Sequence, residues 1–86
     1  MDERLKEYII KMHDDMSESS KVVFCRKLRD KPEDVKTIVR SRLKNWTRIL
    51  EFDANETMQI IKNIEEISDE IVEVLKIYFN TKIEAL

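Results

Sequence analysis

Apolar side chains recur every three or four positions along most of the chain, the spacing of one face of an α-helix. Leu5, Tyr8, Ile9, Met12 and Met16 form the first such stripe and predict a helix from about Asp2 to Met16. Ser17, Glu18, Ser19 and Ser20 interrupt it. Serine hydroxyls bond nearby backbone groups and favour helix caps over interiors, so a break is expected there. A short second helix follows, from about Ser19 to Arg29. Its period is weak, because Val22, Val23, Phe24 and Cys25 are consecutive, although Phe24 and Leu28 stand one turn apart. A strand would also fit this run, but no second strand exists to pair with it.

The third helix has the clearest start. Asp30 or Lys31 caps it, Pro32 sits in the first turn, and Glu33 and Asp34 meet the positive end of the helix dipole. It runs to about Phe52. Val35, Ile38, Val39, Leu43, Trp46, Ile49 and Leu50 fall within an arc of roughly 140°. Lys36, Arg40, Lys44 and Arg48 lie outside that arc, while Arg42 lies inside it and asks for an acidic partner. Asp53, Ala54 and Asn55 supply a turn and a new cap. A fourth helix is then predicted from about Glu56 to Glu84, on Ile60, Ile61, Ile64, Ile67, Ile71, Val74, Leu75, Tyr78 and Ile83. Ser68 offers a restart, but the unbroken period favours one long helix. The expected fold is all-α: a single domain over residues 1–86, built as a small bundle of three to four helices with a long C-terminal helix.

Length changes the picture. At 1.5 Å per residue the fourth helix would span roughly 43 Å and the third roughly 31 Å. Its apolar arc approaches about 180° once Val72, Ile77 and Phe79 are included. Neighbours of this size cannot cover it, so a second copy of the chain or another protein is expected to. Ile64, Ile67, Ile71, Val74, Leu75 and Tyr78 are the residues expected to carry that contact.

Composition narrows the function classes. The chain has no glycine and one proline, Pro32. Glycine supplies the positive-φ positions of tight hairpins and phosphate-cradling loops, so a P-loop or dinucleotide fingerprint of the usual kind is excluded. The single cysteine, Cys25, cannot form an internal disulfide, which suits a reducing, cytoplasmic setting. The first ten residues open with charges and lack the apolar region of a signal peptide, and no apolar run reaches the ~20 residues of a membrane span. No membrane partner is expected.

Charge is distributed unevenly. Residues 1–20 carry three basic and six acidic side chains, residues 21–48 ten and three, and residues 49–86 three and nine. The basic segment could meet phosphates through Arg26, Lys27, Arg40, Lys44 and Arg48. Against that, a recognition helix beginning Pro32-Glu33-Asp34 would turn two carboxylates towards the nucleic acid, and Trp46 lies on the apolar arc. The plainer reading pairs the basic surface with the acidic fourth helix, whose carboxylates are Glu65, Glu66, Asp69, Glu70 and Glu73. Those carboxylates have no histidine beside them, as helical metal sites usually do, and read as a solvated or ion-paired face. The one histidine, His13, reads as a helix-edge residue, and Cys25 as a small core hydrophobe. Neither has the oxyanion nest a nucleophile–base pair would need, so no enzyme, metal or cofactor is expected. Met12, Met16 and Met58 are either core or an adaptable binding groove.

The third helix opens Lys31-Pro32-Glu33-Asp34-Val35, and the chain closes on Val74-Leu75-Lys76-Ile77-Tyr78-Phe79-Asn80-Thr81-Lys82-Ile83-Glu84. Over residues 31–86 this layout resembles the helical A domain of GINS replication-complex subunits. The resemblance implies a non-catalytic subunit of a helical assembly that works near DNA. The arginine that ends the corresponding helix in that family has no counterpart here, and no functional residue is carried over. Together these readings predict a non-enzymatic protein-interaction module that assembles through its C-terminal helix, with a nucleic-acid-binding regulator or a replication-assembly subunit as the alternatives.

Overall fold

The computed structural model describes residues 2–86, and the regular elements among them are six α-helices. They are α1 (Glu3–Asp14), α2 (Glu18–Asp30), α3 (Pro32–Ile49), α4 (Ala54–Lys62), α5 (Ile64–Tyr78) and α6 (Asn80–Glu84). The all-α expectation holds, and α1 to α3 end within a few residues of their predicted limits. The long C-terminal helix does not exist: it is three helices, so the expected count of three to four is too low.

The breaks have local causes. Asn63 separates α4 from α5, with φ −108° and ψ 30°. Its side-chain Nδ2 donates to the Gln59 carbonyl at 2.9 Å, and its backbone N–H donates to the same oxygen at 3.1 Å. Asparagine thus offers the backbone an alternative to regular helix. Ser68, where the sequence offered a restart, lies inside α5 and is buried. Phe79 separates α5 from α6, with φ −95° and ψ 13°. Its ring is drawn into the core, edge-on to Phe24 at 5.9 Å and to Tyr78 at 5.0 Å.

α3 lies at the centre. It packs most extensively on α5 and also on α2 and α4, while α1 packs on α5 and α6 on α2. One core runs through these contacts: Leu5 and Ile9 of α1, Cys25 and Leu28 of α2, Val35, Val39, Leu43 and Trp46 of α3, Ile60 of α4, Ile71, Val72 and Leu75 of α5, and Phe79. The broken C-terminal region removes the mismatch of lengths. α5 has 15 residues against 18 in α3, or roughly 22 Å against 27 Å, so α3 spans it from end to end.

Side chains rather than glycines organise the helix ends. Asp2, Ser17 and Asp53 each accept a backbone N–H at the start of α1, α2 and α4. Asp53 and Glu56 form a reciprocal capping box. Arg4 ties two of these starts together: its Nη2 lies 2.6 Å from Glu56 and 3.3 Å from Asp2, and its guanidinium covers the Phe52 ring at 4.1 Å. Lys31 alone separates α2 from α3, because Pro32 has no N–H with which to continue α2.

The end of α3 carries strain. Phe52 N–H donates to the Thr47 carbonyl at 3.0 Å and Glu51 N–H to the Arg48 carbonyl at 3.1 Å, the paired bonds of a Schellman motif. That motif needs a left-handed residue, and Glu51 supplies it at φ 58°. A side chain with a Cβ pays about 1–2 kcal/mol there. Glycine would relieve this while adding unfolded-state entropy worth about 0.5–1 kcal/mol. Glu51→Gly is therefore expected to stabilise the fold by about 0.5–1 kcal/mol, or roughly 2–8 °C in Tm. Thermal unfolding followed by circular dichroism checks this, and an unchanged or lower Tm contradicts it.

Candidate functional site

The buried side of α3, made by Val35, Val39, Leu43 and Trp46, centres close to Val39. With about 100° per residue, Lys36, Thr47 and Arg40 fall roughly 60–100° to one side of it, and Ile38, Arg42 and Ile49 roughly 60–100° to the other. These two flanks meet different surroundings. The first faces α5. Lys36 Nζ lies 2.8 Å from Asp69 and 3.1 Å from Glu65, and Arg40 Nε lies 2.9 Å from Glu65. Here the basic segment does pair with the acidic helix. The second flank faces the end of α1 and the side of α2, where cover is incomplete.

A groove results. Its enclosed end has a volume of about 270 Å³ and is walled by Met12, His13 and Met16 from the α1 end, Phe24 from α2, and Ile38, Arg42 and Trp46 from α3. Met16, Phe24, Val35 and Ile38 also wall a shallower hollow of about 370 Å³, completed by Val23, Lys27, Ser19 and Ser20. Ile38 and Val23 remain 43% and 53% exposed, so the floor of the groove is open apolar surface. Lys27 and Arg42 flank it, and neither makes an ion pair among the described residues. Arg42 thus has no acidic partner among the described residues.

His13 departs most from expectation. It is not an edge residue but 8% exposed, stacked on Phe24 with ring centroids 4.2 Å apart and planes 14° from parallel. Neither ring nitrogen has a hydrogen-bond partner among the described residues. Burial lowers its pKa from the ordinary 6.5, and the nearby Arg42 charge lowers it further. The imidazole is therefore neutral at pH 7.

The predicted C-terminal contact residues are divided. Ile71 and Leu75, 1% and 0% exposed, are packed inside this chain's own core. Ile64 and Ile67 rest half-buried against it. Val74 is half-buried in an acidic hollow between α1 and α5, with Lys6, Glu66, Asp69, Glu70 and Glu73. Tyr78 is exposed, and its hydroxyl donates to Asp14 at 2.7 Å. Among the basic residues, Arg26, Lys27, Lys44 and Arg48 are exposed and make no ion pair among the described residues, whereas Arg40 is drawn to Glu65. Trp46 and Cys25 are buried in the core as expected. Burial raises the Cys25 thiol pKa, the opposite of thiolate activation. Among the described residues no group of three or more His, Cys, Asp or Glu side chains is placed to share a metal ion. Among the described residues no helix is long and apolar enough to cross a membrane.

The groove had a partial signal in the sequence. Four consecutive apolar residues, Val22 to Cys25, point around most of a helix, so one of them must face outward. His13 falls one turn after Ile9, on the shoulder of the α1 stripe, which foretells burial but not the absence of a partner.

A scan against protein-family models, a search of curated proteins and a search of solved structures each found no match to this chain.

The His13 environment makes stability depend on pH. A folded-state pKa below the unfolded value means that the stabilisation is complete above about pH 6.5 and is lost as pH falls towards the folded pKa. The slope is at most about 1.4 kcal/mol per pH unit. Urea unfolding between pH 7.5 and 5.5 is expected to show this loss, and His13→Phe is expected to flatten it. An equal pH slope in both proteins contradicts the assignment.

Proposed function

We propose that this chain is a non-enzymatic protein-interaction module whose α1–α2–α3 groove receives the apolar face of an acidic amphipathic helix. The observation that carries this reading is the open apolar floor flanked by two cations, Lys27 and Arg42, that make no ion pair among the described residues. Helices dock in such grooves through anchors at i, i+3, i+4 and i+7. Met12 and Met16 suit the role, because unbranched thioether side chains adapt to differing anchors. Charge complementarity selects the partner's flank. The acidic helix of a second copy is a poor occupant, because α5 spends Ile71 and Leu75 on its own core. Self-association through residues 56–86 would instead rest on the exposed Met58, Ile61, Ile77 and Tyr78. A subunit of a helical replication assembly, the role implied by the resemblance of residues 31–86, would also need a partner helix in such a groove.

The test uses two synthetic helical peptides with identical Leu anchors, one flanked by Glu and one by Lys. The Glu peptide is expected to shift the amide resonances of α1 to α3 and to bind at least tenfold more tightly than the Lys peptide. Ile38→Glu is expected to weaken it at least tenfold, since it places a charge on the groove floor. Equal affinity for both peptides, or shifts confined to α4 to α6, would sink the reading.

A second reading rests on Lys44 and Arg48. They lie roughly 140–180° from Val39 on the exposed side of α3 and make no ion pair among the described residues. With Arg26 and Lys27 they would contact phosphates. Binding of this kind falls steeply with salt. Fluorescence anisotropy with a labelled duplex at low salt is expected to show association lost on Lys44→Glu/Arg48→Glu, and no association at low salt removes this reading.

A further inference from the structure

α1 and α5 form a second open surface, which shares no lining residue with the α1–α2–α3 groove. Between them lies a hollow of about 560 Å³ with Val74 and Ile77 in its wall. Ile77 is 76% exposed, the most exposed large hydrophobic side chain among the described residues. A single exposed isoleucine is ordinary on a protein surface. This one is not isolated. Val74 is half-buried in the same hollow, and Val74 and Lys6 also line the adjoining crevice that holds the half-buried Ile10 of α1. An apolar strip therefore runs from Ile10 by way of Val74 to Ile77.

The rim of this strip is almost entirely of one sign. Glu3, Glu66, Asp69, Glu70 and Glu73 line the hollow, with Lys6 as the one cation. Lys36 takes Asp69, and Lys76 reaches Glu73 at 3.4 Å, but Glu3 and Glu66 make no ion pair among the described residues. Glu66, Glu70, Glu73 and Ile77 stand at i, i+4, i+7 and i+11 of α5. They fall within roughly 60° of one another and form a line roughly 16 Å long. The carboxylates follow that line instead of converging, and among the described residues no group of three or more is placed to share a metal ion. Apolar surface rimmed by polar residues is the mark of a protein contact.

We propose that this α1–α5 surface docks a basic amphipathic helix of another protein. The apolar anchors of that helix cover Val74 and Ile77. Its Lys or Arg side chains, repeating at i, i+4 and i+7, face Glu66, Glu70 and Glu73. Helix docking of this kind takes its affinity from the anchors, and the rim charges select the partner. A second copy of the chain fits poorly. Its exposed cations Lys44 and Arg48 share the outer side of α3 with Thr37 and Ser41, which offer no apolar anchor. The inference does not rest on the first groove, and with it the chain becomes an adaptor that holds two helices of opposite charge.

The test titrates the isotope-labelled full chain with a synthetic helical peptide that carries Leu anchors and Lys flanks. Saturable shifts are expected in the amides of Glu66 to Ile77 and of Glu3 to Ile10, with affinity falling at least fivefold from low to physiological salt. The first groove is read on the amides of α2 and α3, so the two surfaces are measured separately. Ile77→Gln, at a position the fold leaves exposed, and the double variant Glu66→Gln/Glu73→Gln are each expected to weaken the peptide at least fivefold, with circular dichroism showing the fold intact. Exchanging the Leu anchors of the peptide for Ser is expected to weaken it as much. An α5 unmoved by millimolar peptide, affinity that Ile77→Gln leaves untouched, or equal binding of the Ser-anchored peptide would each overturn the proposal. Shifts along α5 that grow with protein concentration in the absence of peptide, together with a doubled solution mass, would assign the surface to a second copy and overturn it as well. Binding of the Glu-flanked peptide at α2 and α3 with none of the Lys-flanked peptide at α5 overturns this inference alone.

Discussion

The burial of α3 between its neighbours is the constraint on which the rest of the structure depends. Val35, Val39, Leu43 and Trp46 lie on one side of it and are all buried. A chain of 86 residues has little surface to spare for a core, and no second central element is available. Most of the chain after Leu50 covers α3, while α6 packs on α2 and α5. α4 turns back on α3, α5 lies along it, and the kinks at Asn63 and Phe79 let the C-terminal segment follow a short globule instead of overshooting it. The Lys36, Arg40, Glu65 and Asp69 cluster lies at the edge of the α3–α5 contact. Pairs like these, whose carboxylates remain exposed, contribute little each, so they fix the register of α5 more than they stabilise the fold.

The same arrangement leaves the opposite flank of α3 open. α2 is held to α3 by a junction of one residue, Lys31, and α1 packs chiefly on α5. Neither helix is free to close over Ile38 and Arg42. The groove is therefore a consequence of chain connectivity, and its chemistry follows from what the flank carries: apolar floor, two cations without an ion pair among the described residues, and one buried imidazole. The α5 carboxylates Glu65 and Asp69 instead meet the other flank of α3, through Lys36 and Arg40.

A chain without glycine must end its helices by other means. Asp, Ser and Asn side chains do this at the starts and at the α4–α5 break, and Glu51 does it at the end of α3 by accepting a left-handed backbone. That strain is tolerated because Phe52, immediately after it, packs against the core and beneath Arg4. Local cost is offset by tertiary contact.

The sequence by itself determined that the chain is helical, where its first three helices lie, and most of what α1 and α3 bury, though Ile38 and Ile49 of the α3 arc are exposed and His13 of α1 is buried. Helical spacing of apolar residues, Ser17 and Asp53 as caps, and Pro32 as a starter act over one or two turns, so they are readable locally. Trp46 and Cys25 as core and the pairing of basic with acidic segments were legible for the same reason. Only the tertiary structure decided what covers each stripe. Period reports that one face is apolar, not whether the chain itself or a partner occupies it, and so Ile71 and Leu75 looked like free surface until α3 was seen lying on them. A kink of one residue leaves the period of Ile60 to Ile83 intact, which is why Asn63 and Phe79 were invisible as breaks. His13 shows the limit most plainly: its place on α1 follows from spacing, but its isolation depends on Phe24 and Arg42, which three-dimensional packing alone brings beside it.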